Sequence, residues 1–537
     1  MSPSATAPIV NWDALTPALI ILGAGVLGVL VEAFIARPAR LAIQSTLSFL
    51  AILASGAFLF LRWGEVKAAG AAAAAMPQFQ LPKGFLPGAR MSAGLTEDPF
   101  SIAAQGILLV IGLLAVMVMA DRTAVGDGAF AAQAADRPGS AEETESLLAG
   151  WTTTEVFPLT LFSLGGMMLF GASSDLITLF VILEMISLPL YILAATARHR
   201  RLLSQEAALK YFVLGAFASA FLLMGAALLY GVAGAVDYKT LGEAVRTVPG
   251  QEWLILAGLM LVIIGLLFKV AAVPFHAWSP DVYQGAPTPV TGFMAAGVKA
   301  AAFLALVRFY YLVGGAFGWD MAPFLWTVAI LTIAVGTVVG VVQSDVKRML
   351  AYSAIAHAGY MLIGIIAFNG LAISALLLYA LAYGAATVGA FGVVTLVRAS
   401  HAGAAGAEAT DLESFAGLGR RSPWLAGAMT VFLLSFAGVP LTAGFIAKFE
   451  LFIAGVGGGA LWLVIAAVVS SAITAFFYMR LVVLMFFRDP QEDRVVVVGS
   501  MGPSGAAITV AVFITVVLGV LPQAVLTLLG RAAMLLP

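Results

Sequence analysis

Apolar residues run along this chain in blocks of about twenty, each closed by a short polar break. Read between the breaks, they predict fourteen helical spans. The first three cover residues 14–35, 41–61 and 100–120. Five follow at 156–172, 176–197, 207–232, 253–273 and 288–313, and five more at 321–342, 349–368, 371–397, 424–453 and 461–487. The last covers 506–529. At 1.5 Å of rise per residue, ~20 residues cross a hydrocarbon core of ~30 Å. The expected class is an all-α integral membrane protein with a single polytopic bundle. Two polar insertions interrupt it, an Ala/Pro/Gly-rich one at 62–98 and an acidic, flexible one at 121–151. Both read as surface connections.

Composition agrees with that pattern. The chain has 537 residues, 62% hydrophobic and 10% charged, against about 25% charged in a soluble domain. Lys plus Arg (27) and Asp plus Glu (28) cancel, so no electrostatic case for nucleic acid exists. The absence of cysteine excludes disulfides, Cys-ligated zinc and Cys-ligated iron–sulfur clusters. His199, His276, His357 and His401 are too scattered to show metal-ligand spacing, and no Gly-rich phosphate loop is present. The first twelve residues lack a basic n-region, so no removable signal peptide is expected.

Loop charge sets an orientation. Arg37, Arg40, Arg198, Arg200, Arg201, Lys347, Arg348, Arg398, Arg420, Arg421, Arg488 and Arg494 all fall in odd-to-even loops. The loops after spans four, ten and twelve are nearly bare of positive charge. The long 62–98 connection, with Arg62, Lys67, Lys83 and Arg90, is the exception. Both termini are expected on the non-cytoplasmic side.

Against this background, charges inside the spans stand out. Glu184 lies nine residues past Asp175, Lys299 ten past Pro289, and His357 eight past Met349. These offsets place them ~14, ~15 and ~12 Å into spans five, eight and ten. A charge at that depth costs ~2.5–3.5 kcal/mol on insertion scales and faces protein or water. A structural ion pair is the rival reading for Glu184 and Lys299. Lys210 starts span six closely enough to snorkel to the interface. His357 stands either as a neutral, hydrogen-bonded histidine or, with Ser353 and Tyr360 at i−4 and i+3, as part of a functional polar stripe. Removal from water penalises the charged form of Glu184 and of the lysines alike. A lysine so placed can lose and regain a proton near neutral pH, and an approaching carboxylate restores its charge.

Two spans look broken. Pro274 leaves the carbonyl of Val270 unpaired beside Lys269, and Pro440 does the same to Phe436 in span twelve, where Gly438 and Gly444 flank it. Lipid cannot pair such groups, so the breaks must be buried or line a wet cavity. Matching discontinuous helices point to an inverted-repeat transport site. The breaks fall five spans apart, giving units of spans four to eight and nine to thirteen, the second inverted. The chain divides at 1–152, 153–313, 314–490 and 491–537. Ser422-Pro423 reads as the cap and first turn of span twelve. A straight helix from Trp424 would carry Lys448 ~36 Å along it, near the far surface; a break would bring it inward.

Three runs then carry a resemblance: 268–291 with Lys299 beyond it, 344–360, and 443–449. Together they resemble the antiporter-like membrane subunits of respiratory complex I, and more narrowly subunit N of bacterial NADH–quinone oxidoreductase, over about 156–487. The resemblance implies fourteen spans, two inverted five-helix units and proton translocation along a central polar axis. It assigns that path to Glu184, Lys269, Lys299 and Lys448, and Lys210, His276 and His357 also match family positions. It places Lys448 inside the membrane. It further implies no redox centre in this chain, with NADH, FMN, iron–sulfur clusters and quinone held by partner subunits. The implied neighbours are another antiporter-like subunit and small membrane subunits, in the bacterial inner membrane. Two alternatives stand beside it: a multisubunit cation/proton antiporter, against which the 280–289 run speaks, and a structural scaffold, which the deep charges disfavour.

Overall fold

The computed structural model describes residues 10–75, 94–122, 128–133, 136, 140–149, 151, 153–247, 250–401, 404–490, 495–500 and 502–535. Lys83, Arg90 and Arg494, three of the loop cations, lie outside the described residues, as does the 76–93 part of the 62–98 insertion. Among the described residues, twelve helices are long and apolar enough to cross a membrane, and Val156–Phe170 and Pro423–Ala437 are shorter apolar helices. Each of the fourteen predicted stretches contains helix, and those of spans seven, twelve and fourteen also contain non-helical residues.

Helix starts follow local chemistry. Asp98 and Ser101 form a reciprocal capping box at the head of Pro99–Ala120 (span three). Asp175 caps Leu176–Ala194 (span five), Asp345 caps Val346–Ala367 (span ten), and Asn369 caps Gly370–Leu396 (span eleven). Each side chain accepts a backbone N–H that the first turn leaves unpaired. Ser422 does occupy the cap position before Pro423, but its hydroxyl makes no capping bond. Span six begins earlier than the apolar pattern indicates, at Arg201, and runs to Ala233.

Both predicted breaks are present. Span seven ends at Lys269 (Glu252–Lys269), and a short helix, Trp278–Gly285, follows the interruption. Ala271 there is left-handed, with φ of 59°. Span twelve divides into Pro423–Ala437 and Ala443–Gly457, with Gly438 and Leu441 left-handed at φ of 79° and 71°. Span fourteen is also interrupted, between Pro503–Val520 and Gln523–Ala532, where Pro522 cannot continue the helix. Span eight, Thr288–Leu312, is buried from Thr288 to Tyr310 and contains a π-helical turn at Met294–Val298, directly before Lys299.

Connections sort onto two faces. Arg37 stacks over the Trp151 ring at 3.8 Å, Phe130 bridges Ala197, Arg200 donates to Thr410, and Gln284 donates to Asp345. These contacts join the odd-to-even loops to one another. On the other face Leu95 bridges Ser173, Asp175 bridges Asp237, and Asn369 donates to the Ala454 carbonyl. Alternation of this kind is what successive membrane crossings produce.

The odd-to-even face carries two features that hydropathy does not announce. Strands β1 (Val397–His401) and β2 (Ala404–Glu408) form a hairpin, and β3 (Val495–Val497) joins it in the order β2-β1-β3. The 121–151 insertion, expected to be flexible, holds a helix at Ala141–Leu148, and the Arg201 guanidinium binds its Asp136 carbonyl at 2.9 Å.

Candidate functional site

Two groups of ionisable side chains gather inside the bundle. In the first, Glu184 of span five accepts a hydrogen bond from Ser219 of span six. One turn further along span five, Ser187 Oγ accepts from Lys269 Nζ at 2.6 Å and donates to the Leu183 carbonyl at 2.5 Å. The lysine is 3% exposed and lies 5.7 and 5.5 Å from the Tyr191 and Tyr211 ring centres. It occupies the last residue of its helix, where the C-terminal dipole favours a cation. Among the described residues no ion pair joins it to Glu184; its hydrogen bond goes to Ser187, three residues beyond Glu184 on the same helix. The Phe268 carbonyl beside the break is held by the Trp278 indole N–H at 2.9 Å.

The second group joins spans eight, ten, eleven, twelve and thirteen. Lys299 Nζ donates to the Ala354 carbonyl and lies 5.9 Å from the Tyr383 ring centre. A π turn immediately before a buried lysine is the kind of helical irregularity found at functional positions. His357 Nδ1 is 2.6 Å from Tyr379 Oη, and its Nε2 is 3.5 Å from Tyr478 Oη, which itself bonds Ser353 at 2.5 Å. The third residue of the polar stripe, Tyr360, bonds Ser470 at 2.8 Å, and Ser470 bonds Thr337.

Lys448 is where the break in span twelve matters most. Its Nζ donates to the Phe436 carbonyl at 2.7 Å, to Ala437 at 3.2 Å and to Ser471 Oγ at 2.7 Å. Phe436 is the residue whose carbonyl Pro440 strips of its helical partner. The ammonium thus fills the vacancy made by the break, and the residue folds inward instead of lying at the far surface. Its Nζ is 5.0 Å from the Tyr360 ring centre, which brings it alongside the His357 stripe.

Two candidates lie apart. Lys210 pairs with Glu206 at 2.8 Å and Asp281 at 2.9 Å, its side chain 42% exposed. Arg348 pairs with the same Asp281 at 2.8 Å, so this carboxylate ties spans six and ten together at the odd-to-even face. His276 follows the span-seven break half-buried, with Nδ1 buried and without a partner among the described residues. No hydrogen bond connects it to either lysine group. Among the described residues, no group of three or more His, Cys, Asp or Glu could hold a metal ion.

Comparison with known proteins fits this arrangement. Residues 173–474 match the family described as NADH:quinone oxidoreductase/Mrp antiporter, TM. A relative from Beutenbergia cavernae named NADH-quinone oxidoreductase subunit N is 51% identical, over 98% of this chain and 98% of its own. The chain belongs to the NADH-quinone oxidoreductase subunit N family. A chain of respiratory complex I from Thermus thermophilus superposes with a TM-score of 0.71 at 33% identity, covering 95% of this chain and 98% of its own. A chain of the Mrp complex from Dietzia sp. reaches 0.74 at 21% identity, over 96% and 97% of the two chains. That likeness reflects the fold alone, so the antiporter alternative is not favoured over subunit N.

Within this subunit N relative, the structure adds buried charges that the span-by-span reading passed over. Arg308, nine residues beyond Lys299 on span eight, donates from Nη2 to both carboxylate oxygens of Asp98 at 2.8 Å, and both side chains are fully buried. An arginine inside an apolar stretch was the available signal; attention to helix centres missed it because it lies toward the span's end. Lys347 counted as a loop cation, yet it is 1% exposed. Tyr379 and Tyr383, at i and i+4 on span eleven, gave the same stripe signal as Ser353 and His357 did on span ten.

Proposed function

We propose that this chain is a proton-translocating membrane subunit of an NADH–quinone oxidoreductase. One observation carries the reading: Lys269, Lys299 and Lys448 are all buried, and among the described residues their hydrogen-bond partners are hydroxyls and backbone carbonyls, with no carboxylate. A buried ammonium without a counter-ion is expensive, and three of them along one bundle are hard to justify as scaffolding. Lysines held where charge is costly are suited to give up and recover protons. His357, between two tyrosine hydroxyls, supplies a further exchangeable site close to Lys299 and Lys448.

In this reading protons pass through Glu184, Lys269, Lys299, His357 and Lys448, with Lys210 and His276 toward the surfaces. Residues 153–313 and 314–490 act as two inverted five-helix units, flanked by 1–152 and 491–537. The chain sits in the bacterial inner membrane with its cation-rich face toward the cytoplasm and both termini on the other side. It works beside another antiporter-like subunit and small membrane subunits. Partner subunits hold the NADH, FMN, iron–sulfur and quinone chemistry and supply the energy. Glu184 and Lys269 make a switch: side-chain motion that brings the carboxylate against the ammonium stabilises the charged lysine, and separation favours release.

The test is proton pumping by reconstituted complexes carrying Lys269→Ala. The expected result is fewer protons per electron at an unchanged subunit composition; a wild-type ratio would remove Lys269 from the path.

A further inference from the structure

The cations that orient the chain do not all lie in solvent. Lys347, the second residue of span ten, is buried, and its Nζ donates to the Ala286 carbonyl at 2.7 Å. A carboxylate oxygen of Glu408 lies 3.7 Å away, on a side chain still 16% exposed. Glu408 ends β2, directly opposite Arg398 on β1, and accepts a hydrogen bond from the Thr288 hydroxyl. The hairpin therefore lowers one partly solvated carboxylate onto the first residues of spans eight and ten. Those are the helices that carry Lys299 and His357.

The charges around this pair make its proton exchange cheap. Arg398 is 2% exposed and bonds the Thr395 carbonyl at 2.9 Å, while its Nη2 is buried with no partner among the described residues. Asp345 and Arg200, from the neighbouring loops, are the other charges acting on Lys347. A guanidinium stays charged at any ordinary pH, so Glu408 keeps a counter-charge when Lys347 is neutral. When Lys347 is protonated, Glu408 is its partner. Neither protonation state of the lysine strands a buried charge. Burial pushes the Glu408 carboxyl up, but Lys347, Arg398 and the Thr288 hydroxyl outweigh it and hold it below the usual carboxylate range. Glu408 accordingly stays ionised at neutral pH, and the lysine is the member free to change charge.

A polar track leads inward from there. Along span eleven, from the hairpin toward the bundle centre, come Thr395, Thr387 and Tyr383. The buried Thr387 hydroxyl lies one turn from Tyr383, whose ring centre is 5.9 Å from Lys299 Nζ. His357 lies ten residues beyond Lys347 on span ten, a distance of ~15 Å.

We propose that Lys347 and Glu408 form a proton port at the odd-to-even face, loading the Lys299–His357 group. This rests on the proton-path reading above. In the step itself, a hydronium ion at the loop face gives a proton to the neutral Nζ, leaving water and forming the ammonium. The ammonium then returns to the amine as its proton passes along the interior hydroxyls to the neutral amine of Lys299 or the imidazole of His357, and Glu408 remains a carboxylate throughout.

The experiment compares intact complexes in proteoliposomes carrying Lys347→Arg, Glu408→Gln and, as reference, Lys299→Ala. Arginine keeps the charge and can still reach the Ala286 carbonyl, but it cannot release a proton. Lys347→Arg is expected to lower protons pumped per electron to the Lys299→Ala value. Glu408→Gln takes the carboxylate 3.7 Å from Lys347 away and leaves Asp345 opposed by Arg200, and it is expected to move the pH profile of pumping down by about one unit. If Lys347→Arg pumps like wild type and the Glu408→Gln profile does not move, Lys347 is a structural anchor and the port is refuted. If Lys347→Arg does not assemble, the Glu408→Gln profile alone decides in the same way. Wild-type pumping by Lys299→Ala would instead overturn the underlying path.

Discussion

Lys448 shows what a single residue does in this bundle. Its ammonium completes a carbonyl that the helix break leaves bare, and it makes no ion pair among the described residues. His357 is held in a comparable way from two sides, by Tyr379 and Tyr478. Tyr379→Phe removes the shorter of these bonds and leaves a buried ring nitrogen unpaired, a loss of roughly 1–3 kcal/mol. Pumping per electron should fall while quinone reduction is spared; an unchanged ratio would make the tyrosine dispensable to His357. Asp98→Ala should be harsher, because it leaves Arg308 buried without its carboxylate, at a cost of about 3–5 kcal/mol. Loss of the subunit from detergent-purified complex would register it. Depth along a helix made Glu184, Lys299 and His357 legible in the sequence. Lys347 was not legible, because a cation beside a span boundary reads as a loop charge until the hairpin that covers it is seen.

At the scale of elements, proline position carried most of the information. Pro274 and Pro440 each announced an interruption, because the residue four positions earlier must lose its hydrogen bond. What the pattern could not supply was the new partner of the freed carbonyl, since Lys448 returns to Phe436 only after the chain has turned through left-handed Gly438 and Leu441. Pro522 carried the same signal in span fourteen and was overlooked there for want of a charge beside it. The hairpin over residues 397–408 was hidden as well, because its strands are short and one continues an apolar helix. Gly444 tests the geometry of the break. A Cβ there would overlap the Ser435 carbonyl oxygen, so Gly444→Ala must push the two half-helices apart. The expected loss is about 1–3 kcal/mol, read as a lower thermal midpoint of the complex, together with reduced pumping as Lys448 is displaced. A midpoint equal to wild type would mean that the break is not tightly packed.

Over the whole molecule, the connections sort by face, and the buried lysines fall in two groups, Lys269 near Glu184 and Lys299 near His357 and Lys448. Lys299 comes from the last span of the first predicted unit and donates to span ten of the second. In the proposed path it is the contact that links the two units. The central claim is that these lysines, buried against neutral partners, carry protons in series. The direct measurement is the proton-to-electron ratio of the intact complex in sealed vesicles, wild type against Lys299→Ala. A reduced ratio with quinone reduction still measurable is the predicted result. An unchanged ratio would contradict the account.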